Sequence, residues 1–268
     1  MSQCYYPNNQ ILDIWKTDET TSRWWLWPLV FLGLLAGFGT GYWWWTGPDR
    51  NAQKATVWIV VDADGDGKFD TTGSGILINS KGFVLTNKHV ITDTDGNLAK
   101  GKIDVAWLSG TPNVQRMEAT VEDAGPGKPA LDPEKMRNDW AVLRVVTKDP
   151  LPYCELYDRN DFKPEETVAA YGFPRGMETA ANSHGPAVTV AKGFIKRVDT
   201  SDTGGVIRIS HSASTAEGMS GGAVMQQGRI AGLNVQVLTG GKVTANENYA
   251  IPAFLLKQKV FDRFGQGK

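Results

Sequence analysis

The sequence predicts an all-β domain of two six-stranded antiparallel β-barrels, with one transmembrane helix before them and a helix at the C-terminus. From about residue 55 onward, short apolar runs alternate with turns that contain glycine and aspartate. This spacing is typical of antiparallel barrels. Upstream, residues 24–46 form an uncharged stretch bordered by tryptophans. A stretch of that length can cross a bilayer as a helix.

The predicted transmembrane helix, 24–46, follows an N-terminal tail, 1–23. From Trp24 to Trp45 a helix rises about 30 Å, which matches the hydrocarbon thickness of a bilayer. Tryptophans at both ends lie where the aromatic belts of a membrane span occur. A cleaved signal peptide is disfavoured because the apolar run is too long and starts too late. The segment is therefore predicted to be a single-pass anchor in the lipid bilayer.

Within this helix Gly33, Gly37 and Gly41 recur at intervals of four residues. A stripe of small residues allows another helix to approach closely in lipid. The anchor is thus expected to pack against itself, as a homo-oligomer, or against a partner membrane protein. The alternative is that membrane helices simply tolerate these glycines.

The flanking charges do not determine the orientation of the anchor. Lys16 and Arg23 precede it and Arg50 and Lys54 follow it, so the count of positive charges is equal on the two sides. The usual outcome for a signal anchor leaves the N-terminal tail inside and the larger domain outside.

After a linker, 47–54, the domain is predicted to occupy 55–268. Its first barrel covers about 55–149 and its second about 165–251, joined by a proline-containing connector. A C-terminal helix, 252–264, begins at Pro252 and is expected to dock on the barrel. Its predicted apolar face consists of Leu256, Val260, Phe261 and Phe264.

The loop after the first strand has carboxylates at Asp62, Asp64, Asp66 and Asp70. The first half follows the pattern of a calcium loop, but Gly73 stands where the bidentate acid is expected. An acidic hairpin tip between two strands is the preferred interpretation, and calcium binding is the alternative.

Composition excludes several functional classes. The formal net charge of −1 over 268 residues gives no indication of a nucleic-acid partner. The two cysteines, Cys4 and Cys154, would lie on opposite sides of the membrane and could not pair. No cluster of zinc ligands is evident, so no zinc site is predicted. Apart from the calcium alternative at the acidic loop, no metal and no cofactor is expected.

The chemistry centres on Ser220, which lies between glycines in the stretch 217–223. Such a turn can direct the N–H groups of Gly218 and Ser220 at one point, as an oxyanion hole requires. Serine needs an adjacent base, and His89 could take its proton. Asp139 could hold the imidazole in the required tautomer. The chain order His, Asp, Ser is that of serine proteases with two β-barrels.

Several strings carry a family resemblance, and they occur in the family's order: 73–78, 85–90, 139–143, 218–222 and 249–252. On these strings the chain resembles trypsin-like serine peptidases with the chymotrypsin fold, most closely the HtrA/Deg branch. The resemblance covers the protease domain alone, since no peptide-binding PDZ module follows. It implies a catalytic triad of His89, Asp139 and Ser220, protein or peptide substrates, and a domain outside the cytoplasm. Met219 departs from the pattern, because HtrA-like enzymes usually carry a polar residue there.

The same resemblance implies which residues bind the substrate. Ser214 would lie at the base of the primary pocket, and Asn234 and Val235 would line another wall. No carboxylate is available beside Ser214 to receive lysine or arginine, so a small or medium apolar side chain is expected. The loop 175–186 is expected near the site. His184 and His211 are interpreted as structural.

The leading hypothesis is a membrane-anchored serine endopeptidase. The alternative is a catalytically silent or latent subunit of the same fold, which would act as a sensor or binding component of a membrane complex.

Overall fold

The computed structural model describes residues 49–127, 132–179, 183–235 and 248–265. Within these ranges, two six-stranded antiparallel sheets each close into a barrel. The predicted all-β double barrel is therefore confirmed. The predicted tail and transmembrane helix, with Gly33, Gly37 and Gly41, lie outside the described residues.

The first barrel has the strand order β1-β2-β3-β6-β5-β4, and pairing of β1 with β4 closes it. Its strands are β1 (Thr56–Val61), β2 (Thr71–Leu77), β3 (Phe83–Thr86), β4 (Ile103–Trp107), β5 (Gln115–Ala124) and β6 (Ala141–Val145).

The second barrel has the order β10-β11-β12-β9-β8-β7, and pairing of β10 with β7 closes it. Its strands are β7 (Thr167–Gly172), β8 (Thr189–Thr200), β9 (Val206–His211), β10 (Ala223–Gln226), β11 (Arg229–Val235) and β12 (Asn248–Pro252). Closure leaves neither sheet with an unpaired edge among the described strands.

Strand β1 is buried along its whole length, although alternation in a barrel strand normally leaves one face outside. Val57, Ile59 and Val61 point into the main hydrophobic core. On the other face Trp58 packs with Phe173, which follows β7 in the second barrel. A loop of the second barrel therefore covers the outer face of β1.

Part of the predicted linker, 47–54, is helical: residues 49–55 form a helix that packs on the domain. Ala52 and Ala55 are buried in the main core. The Tyr171 hydroxyl lies 3.0 Å from an Asp49 carboxylate oxygen and donates to it. The buried alanines are three residues apart and share one helix face, whereas the polar residues between them are exposed. This amphipathic pattern favours a helix.

The predicted C-terminal helix is present, but it is built of successive 3₁₀, π and α turns. These run Ala253–Leu256, Lys257–Phe261 and Asp262–Phe264. Leu256 and Val260 are fully buried, and the ring of Phe264 lies 5.3 Å from that of Phe83 on β3. The first turn of the helix therefore lies against β11 and β12 of the second barrel, and its end docks on the first barrel through Phe264.

Across the described ranges, we find no helix with the length and apolar character needed to cross a membrane.

Candidate active site

His89 lies immediately after β3, in the short 3₁₀ turn Lys88–Ile91. Its ring Nδ1 is 2.6 Å from Oδ2 of Asp139, and its backbone N–H donates to Oδ1 of the same carboxylate at 2.9 Å. A carboxylate only accepts hydrogen bonds, so the Nδ1 atom of His89 carries the proton. The Nε2 atom is then left with its lone pair, as a general base requires.

Asp139 precedes β6 and is 4% exposed. The side-chain amide of Asn87 donates to its backbone carbonyl at 2.7 Å. Its own N–H bonds the carbonyl of Met136 at 2.9 Å, at the end of the short helix Pro133–Met136. The ends of two adjacent strands, β3 and β6, thereby hold the imidazole and the carboxylate in contact.

Ser220 lies in the turn before β10 and is 6% exposed. Gly221 has φ +83°, and a Cβ there would lie 2.2 Å from Oγ1 of Thr86 and 2.9 Å from the amide of Asn87. Only glycine fits this close approach without strain. The serine turn is thus packed against the two residues that lead into the His89 turn.

The turn 217–220 has all four of its backbone carbonyls hydrogen-bonded. The carbonyl of Glu217 accepts from the Arg175 N–H at 2.6 Å, and that of Gly218 from the Ser74 hydroxyl at 2.7 Å. The Met219 carbonyl accepts from the Asn234 side-chain amide at 2.9 Å, and the Ser220 carbonyl from the Ser74 N–H at 2.8 Å.

These contacts orient the amides of the turn. A peptide unit is planar and trans, so its N–H points opposite to its C=O. The carbonyls of Glu217 and Met219 belong to the same peptide units as the N–H groups of Gly218 and Ser220. Fixing the two carbonyls therefore fixes the directions of the two N–H groups that the sequence predicts as oxyanion donors.

Gly218 has φ +90°, which glycine adopts at little cost. A Cβ there would lie 2.5 Å from the carbonyl of Phe173. Met219, the departure from the family pattern, is 1% exposed and packs in the core of the second barrel. The Met219 side chain therefore fixes the turn to the core of the second barrel, and the Met219 carbonyl accepts the hydrogen bond from Asn234.

The three predicted substrate-binding residues lie in different environments. Ser214 is exposed, whereas Asn234 and Val235 are buried on β11. The amide of Asn234 is engaged by Met219 and by His211, whose Nε2 lies 3.2 Å from its Oδ1. Contact of these three residues with a substrate stays a prediction.

The loop between β7 and β8 packs on the first barrel in its described parts. The Gly110 N–H donates to the carbonyl of His184 at 2.8 Å, and the Ser109 hydroxyl to that of Pro186 at 2.8 Å. Near the start of the loop Arg175 has φ +48°, a backbone conformation that is uncommon for residues other than glycine. That conformation accompanies the hydrogen bond from the Arg175 N–H to Glu217.

His211 is fully buried on β9. Burial lowers the pKa of its ring to about 4, because it outweighs the contacts with Asn234 and the Tyr249 backbone that favour the charged form. The ring is therefore neutral at physiological pH.

The acidic loop closes on its own amides. Both carboxylate oxygens of Asp62 accept backbone N–H groups, from Gly65 at 2.8 Å and from Gly67 at 3.0 Å. Such bonds are typical of a hairpin tip. Asp62, Asp64 and Asp66 also offer carboxylate oxygens within 4.8 Å of one another, so these are the described residues that could hold a cation. Calcium binding at this loop stays a hypothesis.

Sequence reasoning missed Ser74 and His211 as parts of the site. Ser74 is a fully buried residue of β2 whose hydroxyl accepts from the Phe173 N–H at 2.9 Å and donates to Gly218. Its linear signals are its position between two glycines and its place in the string 73–78 that carries the family resemblance. No local pattern identifies a partner 144 residues away.

Comparison with known proteins links this geometry to peptidases. Residues 73–233 match the family described as "Trypsin-like peptidase domain". A probable periplasmic serine endoprotease DegP-like of Pseudomonas putida is 32% identical over 181 residues, which are 67% of this chain and 32% of that protein. The magnetosome formation protease MamE of Paramagnetospirillum magneticum is 23% identical over 203 residues, 73% of this chain and 24% of that protein.

Among solved structures, the serine endoprotease from Yersinia pestis is similar, with a TM-score of 0.58 and 26% identity. The match covers 81% of this chain and 65% of that one. The aligned part thus spans about a quarter to a third of the two curated relatives.

Proposed function

We infer that this chain, which belongs to the trypsin-like peptidase family, is a serine endopeptidase that cleaves protein substrates. The observation that carries the proposal is the 2.6 Å contact between His89 and Asp139, which are 50 residues apart, beside the turn that carries Ser220. Two glycines and four hydrogen-bonded carbonyls hold that turn in one shape, which a plain surface turn does not need.

The proposed reaction begins when Nε2 of His89 takes the proton of the Ser220 hydroxyl, and the oxygen bonds the carbonyl carbon of the scissile peptide. The negative charge that develops on the substrate oxygen is stabilised by the N–H groups of Gly218 and Ser220. His89 then gives its proton to the leaving amine, and an acyl-enzyme remains. Water, deprotonated by His89, hydrolyses the ester and regenerates the Ser220 hydroxyl.

Asp139 supports both charge states of the imidazole. In the resting state its carboxylate accepts the Nδ1 proton and selects the tautomer with a basic Nε2. When His89 becomes charged, the buried carboxylate stabilises the cation. The second contact, from the His89 N–H at 2.9 Å, keeps the carboxylate from rotating away.

The proposed substrates present a small or medium apolar side chain to the primary pocket. Support comes from the segment around Ser214, where Ala213 and Thr215 provide no carboxylate for a basic side chain. Thr215 instead donates its hydroxyl to Asn248 at 2.7 Å. A peptide library cleaved by the full chain would contradict this preference if lysine or arginine predominated before the cut bond.

We further propose that the chain is a single-pass membrane protein with the peptidase domain outside the cytoplasm. The support is the tryptophan-bordered segment 24–46 and the word "periplasmic" in the name of the DegP-like relative. The full chain should stay with membranes after an alkaline carbonate wash, whereas a variant lacking 24–46 should be released. A C-terminal alkaline phosphatase fusion in a bacterial host should be active, since that reporter works only outside the cytoplasm.

The small-residue stripe is proposed to associate with a second copy of the anchor. Gly37→Leu should reduce the oligomer size in detergent, and Gly39→Leu, two positions from both Gly37 and Gly41, serves as the matched control. A wild-type chain that is already a monomer would contradict self-association.

The decisive test of the peptidase assignment is labelling with a fluorophosphonate, which reacts with activated serines. Wild-type chain should be labelled and Ser220→Ala should not. If a correctly folded wild-type chain, with membranes and without them, is never labelled, the endopeptidase proposal fails and the silent subunit is favoured.

A further inference from the structure

A buried histidine and a buried asparagine lie on the core side of the serine turn, residues 217–220. His211 ends β9 and Asn234 lies on β11, and neither side chain is exposed. Nε2 of His211 is 3.2 Å from Oδ1 of Asn234, and Nδ2 of Asn234 donates to the carbonyl of Met219 at 2.9 Å. The mechanism proposed above uses neither side chain, so their presence in the core calls for a physical reason.

The orientation of the asparagine determines the tautomer of the histidine. The carbonyl of Met219 can only accept, so the NH₂ group of Asn234 must face it. The amide oxygen then faces His211, and this oxygen also only accepts. The proton of the neutral ring therefore lies on Nε2.

The other ring nitrogen agrees with this assignment. Nδ1 of His211 is buried and makes no hydrogen bond of normal geometry within the described residues, although the nearby Tyr249 backbone favours the charged ring. A buried N–H on Nδ1 would lack a well-aligned acceptor, whereas an N–H on Nε2 has the amide oxygen of Asn234. Burial also lowers the pKa of the ring, which keeps the neutral form dominant at physiological pH.

The pair acts on one particular peptide unit. The Met219 carbonyl shares its plane with the N–H of Ser220, one of the two proposed oxyanion donors. The Gly222 N–H also reaches this carbonyl, at 3.2 Å, but it belongs to the same turn and moves with it. Asn234 is the contact that ties the plane to the barrel wall.

The backbone of Asn234 strengthens this connection. Its N–H donates to the carbonyl of Gly222 at 2.8 Å, and its carbonyl accepts from the Gly221 N–H at 2.9 Å. The turn is thus held by one residue through three of its groups. Of these three groups, the side-chain amide is the one that His211 contacts and orients.

We propose that His211 and Asn234 form a buried positioning pair that directs the Ser220 amide at the developing oxyanion, with the His211 proton on Nε2. The inference rests on the proposed peptidase function. His211 touches neither substrate nor reacting atoms, so it acts through Asn234.

Kinetics of the full chain in detergent test the pair. His211→Leu removes the donor and should lower kcat about tenfold to a hundredfold, less than the complete loss of an oxyanion donor, with KM within about twofold. His211→Gln places an amide N–H near the position of Nε2 and should restore kcat to within about threefold of wild type. Asn234→Asp loses the NH₂ donor and should behave like His211→Leu.

The matched control is Ser210→Ala, the preceding residue on β9, whose buried hydroxyl has no hydrogen-bond partner in the described residues. Its kcat should stay at the wild-type value. The proposal is overturned if folded His211→Leu keeps wild-type kcat, if His211→Gln is no better than His211→Leu, or if Ser210→Ala loses as much.

A second measurement does not depend on activity. The chain has three histidines, so ring ¹⁵N chemical shifts in labelled full-length protein can be assigned with single variants. The His211 ring should show a protonated Nε2 and an unprotonated Nδ1 at pH 7. A protonated Nδ1 would overturn the positioning pair, whereas absent fluorophosphonate labelling with the expected tautomer would overturn the peptidase function alone.

Discussion

The hydroxyl of Ser74, on β2 of the first barrel, donates a 2.7 Å hydrogen bond to the carbonyl of Gly218 in the second. The same oxygen accepts from the N–H of Phe173, and the backbone N–H of Ser74 bonds the carbonyl of Ser220. Ser74 therefore connects β2 of the first barrel with two segments of the second barrel, the loop that begins at Phe173 and the turn 217–220. A hydroxyl suits this position because it donates and accepts at once.

Replacement of Ser74 by alanine should therefore weaken both stability and catalysis. The variant leaves the carbonyl of Gly218 and the N–H of Phe173 buried without their partner, which costs about 1–3 kcal/mol of unfolding free energy. We expect kcat to fall about tenfold, because the turn loses one of its supports. Urea unfolding and peptide hydrolysis measure the two effects, and Ser210→Ala is the control. Wild-type values for both in Ser74→Ala would contradict this role.

Removal of the proposed catalytic groups should show that they act as one unit. Ser220→Ala and His89→Ala should each lower peptide hydrolysis roughly a millionfold, and the double variant should be no slower than either. Thermal melting verifies that the variants fold. Multiplicative losses in the double variant would mean that the two side chains act independently.

Asp139→Asn should test whether the carboxylate is needed to select the tautomer of His89. An asparagine amide can present N–H to Nδ1 of His89 and so stabilise the tautomer with the proton on Nε2. We expect kcat to fall about ten-thousandfold at neutral pH while the domain stays folded. A loss below about tenfold would show that the 2.6 Å contact with His89 is not needed for proton transfer.

Gly221→Ala tests the packing of the serine turn on the first barrel. Its Cβ would lie 2.3 Å from the carbonyl of Ser74, and the residue has φ +83°. We expect about a hundredfold loss of kcat or more, because the turn must shift by a large fraction of an ångström. Gly204→Ala is the matched control, since Gly204 has φ +80° but nothing within 4 Å of its added Cβ.

The control variant should lose only about 1–2 kcal/mol of stability from its backbone conformation, with unchanged kcat. Equal effects of the two substitutions on kcat would show that backbone strain, and not the close approach, limits position 221.

Stability should depend on pH through His211. Its pKa is lowered from 6.5 to about 4 in the folded chain, so between those values the unfolded chain binds more protons. The free energy of unfolding therefore contains a contribution that is complete above about pH 6.5 and is lost as pH falls toward 4. The loss amounts to about 3 kcal/mol.

His211→Gln has no such ring, so its unfolding free energy should fall by about 3 kcal/mol less than that of wild type between pH 7 and pH 4. Comparing the two proteins cancels the titration of their shared carboxylates. Identical pH profiles in urea unfolding would show that the His211 ring titrates normally in the folded chain.

Local patterns in the sequence were sufficient to predict the barrels. Apolar runs and glycine turns predicted strands from about residue 55 onward, and the first strand, β1, begins at Thr56. They did not predict that residues 49–55 form a helix, because the buried faces of Ala52 and Ala55 are made by the barrels and not by their neighbours in sequence.

The sequence by itself determined the all-β class, the candidate pair His89 and Asp139, and the glycines around Ser220. Strand periodicity, turn residues and the order of motifs can all be read from residues that are neighbours in the chain. Only the tertiary structure decided that Ser74, Asn234 and His211 hold the serine turn. Their partners lie on other strands or in the other barrel, and a hydrogen bond depends on distance in space. Folding is what brings such groups within 3 Å or so of each other.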